Sequence, residues 1–394
     1  MTTAMKRVLV LCPQPRDFEV VRSAALDERY RVRYVGADLD SGGPFDPPAF
    51  LERCRRLRAD AVLATKDRSA LVAALVAERR SLPGPTPSAV IRCQHKPTSR
   101  AVQREIAPEA TPRFAVLGVD PPPFPPPFFV KPVVGRLSQH ARRVDDPAEL
   151  AGVAEGDDYA VGWAEIATLA GFPREAARGL IVEELLTGDE VTLEGYVRRG
   201  RVTVIGITDS VKYPGTASFE RFEYPSRLGH ERRRELASVA ARLLPALGFD
   251  GGFFNVEFAV PDDGPARILE VNARIASQFA PLVHALHGRS TYDALFALAA
   301  GDDPRWEARA PDGVAISYAL RAFEDAFVAA VPERQEGVEL LVRPGLRLSE
   351  QGANDAFSHR LAIFYETGET REEAVARCRR RAESLRARFE LRPA

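Results

Sequence analysis

"FFNVEFAVPDDGPARILEVNARIASQF", residues 253–279, reads as two strands and the turn that joins them. Phe254, Val256, Phe258 and Val260 alternate with Asn255, Glu257 and Ala259, which is the two-residue period of a half-buried strand. In the second run Leu269 and Val271 alternate with Glu270 and Asn272, and Arg274 follows two residues on. Asp262-Asp263-Gly264-Pro265 between the runs is turn chemistry. A hairpin symmetric about that turn sets Glu257 opposite Glu270 and Asn255 opposite Asn272, and sends Leu269 and Val271 into the core. Like charges directly opposite each other destabilise a sheet. A cation between them removes the repulsion, and two carboxylates with an amide oxygen suit a hard ion such as magnesium. Glu257, Glu270 and Asn272 are therefore the candidate metal ligands. The bland alternative is a solvated hairpin face.

The chain around this hairpin has 394 residues, enough for two or three domains. Its 54 Lys and Arg nearly balance 55 Asp and Glu. No global field then favours nucleic acid or an anionic membrane, and neither is expected as a partner. Cys12, Cys54, Cys93 and Cys378 are scattered without CxxC spacing, which argues for reduced thiols rather than a disulfide frame or a zinc site. No apolar run is long enough to span a bilayer, and the start "MTTAMKRVLVLCPQ" lacks the features of a signal peptide. A cytoplasmic location is the expectation.

Upstream, "RVLVLCP" (7–13), "RVRYVG" (31–36) and "DAVLAT" (60–65) read as strands with helical stretches at 48–58 and 68–80 between them. That rhythm predicts a small doubly wound α/β domain over residues 1–95, without a GxGxxG dinucleotide turn. The proline-dense "GVDPPPFPPPFFVKP" (118–132) reads as a stiff connector feeding a strand. From Phe128 the chain is strand-rich, interrupted by a helix over 230–248 with Leu236, Val239, Ala240, Leu243 and Leu244 on its buried face. After residue 313 come a strand, "LAIFYETG", and a helix. Thr370 and Glu373 form a capping box for that helix, and Val375, Cys378, Ala382 and Leu385 make its buried stripe. The arginines at 377 and 379–381 read as its solvated face.

Three further stretches carry chemistry. Lys131 sits in the apolar run "FFVKPVV", where a charge is costly unless it meets an anion. The Gly-Arg-Leu-Ser loop after it offers backbone N–H groups and the Ser138 hydroxyl to a phosphate. "LIVEELLTGDEVTLEGYV" (180–197) gives a strand ending in two acids, a Thr-Gly turn, and a strand opened by Glu190, which can accept from ribose hydroxyls. "DSVKYPGTASFERFEYPSRL" (209–228), with Tyr213, Phe219 and Phe222, reads either as a lid or as a surface loop packed on its own aromatics.

In order along the chain stand Lys96, Lys131 with its loop, "VEELLTGDE", "NVEF" and "EVNAR". This series resembles the ATP-grasp superfamily, from the N-terminal domain to about residue 300. "SHRLAIFYETGETREEAVARC" further resembles the C-terminal lobe of its biotin-carboxylase-like members. The resemblance implies an N-terminal pre-ATP-grasp domain (1–95), a two-lobed ATP-grasp core (96–305) and a small C-terminal α+β lobe (306–394). It implies that Lys96 and Lys131 hold ATP phosphates and that Glu183, Glu184 and the backbone of Leu186 form the adenine hinge. Glu190 is implied to meet the ribose. Glu257, Glu270 and Asn272 are implied to hold two magnesium ions, with manganese as a substitute. Arg274 is implied to stabilise an acyl phosphate or the carbonyl under attack. Three departures touch substrate class: Ala273 stands in place of a proline, the phosphate loop is poor in glycine, and Asn255 replaces the arginine of D-alanine–D-alanine ligases. Asn255 makes the likeness closer to the carboxylase and L-amino-acid-ligase branches, and none of the three removes a metal ligand.

The activity implied is ATP-dependent joining of a carboxylate to an amine through an acyl phosphate, with Lys131 and Arg274 as catalytic residues. Arg274 lies just beyond the ions, where its planar fork matches a carboxylate, and Ser277 and Gln278 can hydrogen-bond a polar head. The expected acid is small and polar, an amino acid or a derivative, and a homodimer is compatible with the likeness. Competing readings are a bicarbonate-activating carboxylase, a phosphotransferase that stops at the phosphorylated product, and a nucleotide-binding regulator without turnover.

Overall fold

The computed structural model describes residues 5–119, 122–136, 138–152, 158–307, 310–351, 355 and 358–393. Residues 1–4 of the opening stretch, Asp120 and Pro121 of the proline segment and Leu137 of the Gly-Arg-Leu-Ser loop lie outside the described residues.

The N-terminal part runs β1 (Arg7–Leu11), α1 (Pro15–Ser23), α2 (Leu26–Arg29), β2 (Arg31–Val35), α3 (Pro47–Arg56), β3 (Ala61–Leu63) and α4 (Asp67–Arg79). Its three strands form a parallel sheet in the order β2-β1-β3, as the strand-helix rhythm predicts. Two helices follow, α5 (Pro87–Gln94) and α6 (Lys96–Ile106).

A four-stranded antiparallel sheet comes next. It is built from β4 (Phe114–Val116), β5 (Phe128–Pro132), β6 (Arg142–Val144) and, after α7 (Asp158–Ala167), β7 (Leu180–Glu184), in the order β4-β7-β5-β6. The proline-dense connector bridges β4 and β5. The chain then enters a large antiparallel sheet with β8 (Asp189–Arg198), β9 (Arg201–Lys212) and β10 (Phe219–Tyr224). It continues through α8 (His230–Ala246), β11 (Gly252–Val260), β12 (Arg267–Asn272), α9 (Ala280–His287), α10 (Thr291–Ala299) and β13 (Val314–Ala322). Beyond these lie β14 (Ala326–Ala330), β15 (Val338–Leu340), β16 (His359–Gly368), α11 (Arg371–Arg386) and β17 (Glu390–Pro393). The large sheet has eight strands in the order β12-β11-β8-β9-β10-β13-β16-β15, so the C-terminal strands extend the sheet that carries the hairpin.

α8 buries Leu236, Val239, Ala240, Leu243 and Leu244, the face its apolar spacing predicts. In α11 Thr370 caps the helix by accepting from Glu373 N, while the buried stripe begins at Ala374 and leaves Val375 half-buried. The N-terminal sheet does not keep a core of its own. Val8, Val10 and Leu63 pack in one cluster with Phe279, Leu282, Tyr292 and Phe296, and the Tyr292 hydroxyl donates to Asp17 Oδ1 at 2.6 Å.

Two sequence expectations need correction. Residues 209–228 are not a free lid: half of them lie in β9 and β10 in the middle of the large sheet, joined by a short turn. The Tyr213 hydroxyl fixes that turn by donating to Ala319 O at 2.9 Å, and Phe222 packs against Phe219 and Phe279. The second correction is Leu269. Pairing is symmetric at the far end of the hairpin but shifts between Glu257 and Phe258, which faces Ile268. Leu269 is the extra residue of a β-bulge, so Ile268 takes the core position and Leu269 is half-buried.

Candidate functional site

The floor of the site is the open end of the β11–β12 hairpin. Glu257 faces Glu270 and Asn255 faces Asn272, because the bulge lies between them and the turn. Asn272 Nδ2 donates to Asn255 Oδ1 at 2.9 Å and to Glu257 Oε1 at 3.2 Å. Burial, and then the facing Glu270, push the Glu257 carboxyl up to about 7. Burial acts on Glu270 in the same sense, but Lys96 and then Lys131 hold it below the usual carboxylate range. A cation between the two carboxylates would relieve their mutual repulsion. Among the described residues no three His, Cys, Asp or Glu side chains gather to hold a metal. Two carboxylates and an amide still fit magnesium, which keeps most of its shell for water and substrate phosphates. Asn272 turns its Nδ2 toward Asn255 and Glu257, and a cation ligand would offer Oδ1 instead.

A cationic wall stands over this floor. Lys96, Ser99, Arg100 and Gln103 form a buried polar stripe on α6, and Lys96 Nζ lies 3.0 Å from Glu270 Oε1. Lys131 is buried in β5, as its apolar run predicts, and pairs with Glu183 Oε2 at 2.9 Å. Arg100 Nε reaches Glu183 Oε1 at 2.6 Å. The bulge carbonyl of Leu269 accepts from Arg100 NH2 at 2.8 Å and from Lys131 Nζ at 3.2 Å. Burial works against the Glu183 charge, but Arg100 and Lys131 outweigh it and hold the carboxyl down at about 2. The anion that Lys131 meets here is thus a neighbouring carboxylate, and Glu183 sits beneath the wall rather than at an open adenine edge.

The remaining candidates scatter. Glu184 is taken by Arg113, through its backbone N–H at 2.9 Å and its Nε at 2.8 Å. Leu186 lies half-buried in the link between β7 and β8. In that link Gly188 has φ +112°, and a Cβ there would stand 2.4 Å from Val260 O. Glu190 pairs with Lys212 and bears on Glu257 electrostatically. Ser138 is exposed in the left-handed region, at φ +53°. Beyond the metal floor Arg274 is held by Asp67 of α4, with Nε 2.8 Å from Oδ1, and its NH1 donates to Ile275 O at 3.3 Å. Ser277 accepts from Gln14 Nε2 at 2.8 Å, and Gln278 Nε2 donates to Ser317 Oγ at 3.0 Å.

The structure thus brings together Lys96, Lys131, Glu183, Glu257, Glu270 and Asn272, with Arg274 at their margin. It leaves Glu184 and Ser138 outside, and spends Ser277 and Gln278 on contacts between elements. Sequence reasoning missed Arg100, although the spacing 96, 99, 100, 103 marks a polar helix face. It missed Glu194, which lies beside Asn255 in the sheet and accepts from Ala276 N at 2.6 Å. Alternation with Glu190 and Thr192 marks it. Asp67 carries no such signal, since its partner is distant in the chain.

Comparison with known proteins gives a consistent picture. Residues 124–281 match the model of the ATP-grasp domain family. The uncharacterized protein y4rH of Sinorhizobium fredii is 26% identical over 331 residues, 77% of this chain and 63% of that protein. A D-alanine–D-alanine ligase of Porphyromonas gingivalis is 27% identical over 154 residues, 37% of this chain and 41% of that one. The matches therefore span less than two thirds of either relative. Among solved structures, an L-amino acid ligase from Bacillus licheniformis superposes with a TM-score of 0.77 at 19% identity, covering 100% of both chains. The biotin carboxylase domain of Hydrogenobacter thermophilus 2-oxoglutarate carboxylase, solved with MgADP and bicarbonate, gives 0.69 at 15% identity over 99% of this chain and 91% of that one.

Proposed function

This chain carries an ATP-grasp domain within an ATP-grasp fold, and from that premise we propose that it is an ATP-dependent carboxylate–amine ligase. The observation that carries the reading is the floor of the site, where Glu257 and Glu270 face each other beside Asn272 and beneath Lys96 and Lys131. Glu257, Glu270 and Asn272 would hold magnesium, which supplies positive charge to the β- and γ-phosphates when bound. Lys96 and Lys131 would add charge of the same sign on the other side, shared with Glu270 and Glu183.

In the first step a carboxylate oxygen of the acid takes the γ-phosphoryl group, the bond to the β–γ bridging oxygen breaks, and ADP leaves. In the second an amine nitrogen attacks the acyl carbon, the bond from that carbon to the phosphate oxygen breaks, and inorganic phosphate and a proton depart. Arg274 has one side fixed by Asp67 and, among the described residues, no hydrogen-bond partner for NH2, so it can steady the acid or the developing charge. A guanidinium in that place favours a small polar acid such as an amino acid. The test is a screen for ADP release across amino acids and small carboxylates, each with and without an amine, followed by mass spectrometry. Acid-dependent ADP with a condensed product supports the reading. ADP release with bicarbonate alone would move it to the carboxylase class.

A further inference from the structure

The loop after β5 was expected to cradle phosphate with its backbone and with Ser138, and its geometry argues against that. Gln139 N is spent on Arg136 O and Ala141 N on Ser138 O, so two of its amides close turns inside the loop. The Ser138 side chain is exposed. The group this loop does offer is Arg136, and Arg136 is held elsewhere. Its NH1 lies 3.0 Å from Asp40 Oδ1, on the N-terminal part of the chain. Asp40 also receives Arg68 at 3.0 Å and Lys66 at 3.3 Å, while Lys66 pairs more closely with Asp38 at 2.6 Å. Arg68 and Arg136 flank the ring of Tyr159 on α7, at 4.8 and 5.2 Å from its centroid.

Two features make this junction more than a surface tie. Three cations, Lys66, Arg68 and Arg136, share two carboxylates, Asp38 and Asp40, and the neighbouring Asp67–Arg274 pair is neutral as a unit. The Nε atoms of both arginines are buried and have no hydrogen-bond partner among the described residues. Buried donors left over beside surplus positive charge suit a further anion. Tyr159, between Arg68 and Arg136, also lies in the field of Asp67 and Arg274, so that surplus adjoins the margin of the proposed ATP site.

We propose that Arg136 is the phosphate ligand of the β5–β6 loop and that Asp40 is a positioning residue, which holds Arg136 against α4 until a γ-phosphoryl group takes its place. The inference rests on the reading that ATP binds at this site. Asp40 then competes with nucleotide for one guanidinium, and removing its charge must tighten nucleotide binding only while Arg136 is present.

Calorimetry with magnesium and the non-hydrolysable analogue AMP-PNP tests this on the full chain. Asp40→Asn should bind about fivefold or more tightly than wild type, and Arg136→Gln about tenfold more weakly, a coupling of ordinary size between linked sites. In the Arg136→Gln background the gain from Asp40→Asn should shrink below about twofold, since the competition is gone. Hydrogen exchange on the unaltered protein gives an independent check: saturating analogue should slow exchange over residues 133–141 and quicken it over 36–42. Wild-type binding with Asp40→Asn no tighter, or slowing in both segments, overturns the clasp and leaves the ATP reading standing. Failure of the wild type to bind the analogue at all overturns both.

Discussion

Glu194 is buried beside the hairpin with a single described hydrogen bond to its carboxylate, and burial pushes its carboxyl up to about 8. An unfolded glutamate titrates near 4.3, so between about pH 4 and 8 the folded chain holds a proton that the unfolded chain has lost. Stability therefore falls as pH rises through that window. Glu194→Gln keeps an acceptor for Ala276 N and removes the titration. It should match wild type in melting temperature at about pH 4 and exceed it at about pH 8.5, and equal melting at both values would refute the argument. Arg100 is the complementary case: Arg100→Ala leaves Glu183 buried with Lys131 alone and should cost about 3–5 kcal/mol in chemical denaturation. Lys131→Ala keeps the Arg100 pair and should cost less stability while weakening ATP binding. The reverse order would mean that Lys131 is the structural partner. Glu257 and Glu270 were legible as polar positions of one alternating hairpin, and the bulge at Leu269 is what leaves them opposite each other. The partner of Lys131 was not, because Glu183 reaches it from a strand some fifty residues away in sequence, and no local pattern encodes that pairing.

The β7–β8 link shows what one backbone position can decide. A Cβ at Gly188 would run into the backbone of Val260 and Pro261 at the end of β11, so the link passes close beside the hairpin. Gly188→Ala meets a positive φ, worth about 1–3 kcal/mol of strain, and a backbone clash as well. A lowered denaturant midpoint is the expected result, and an unchanged midpoint would show that the link gives way freely. Strand alternation revealed β11, β12 and the face of α8. It could not reveal the bulge at Leu269, since one extra residue leaves the polar end of the hairpin in register and reverses only the part near the turn. The same limit explains the stretch 209–228: its proline, glycine and aromatics look like a loop, while pairing with β13 on one side makes β10 an interior strand.

Across the whole molecule the site is assembled from parts that do not stand alone. β1 and β3 share a core with α9 and α10, and Gln14 and Asp17 bond Ser277 and Tyr292 across the same junction. A chain starting at residue 96 would expose that apolar face, so it should melt without a cooperative transition in calorimetry. A sharp transition would show that the core folds independently. The order of motifs anticipated the α/β opening, the hairpin floor and the strand-rich middle of the chain. The joining of the C-terminal strands to that sheet through β10 and β13 was hidden, because only tertiary pairing specifies it. No helix among the described residues is long and apolar enough to cross a membrane.

In the proposed function Glu257 and Glu270 would hold the magnesium that ATP-dependent activation of the acid requires. Hydroxylamine traps acyl phosphates as hydroxamates, so ADP and hydroxamate can be measured together for the best acid, at saturating magnesium, in wild type and Glu270→Gln. Matched ADP and hydroxamate are expected from wild type, with a loss of about a hundredfold or more in the variant, on the scale of removing a key group from a charged transition state. A Glu270→Gln protein that folds normally and keeps wild-type rates would contradict it.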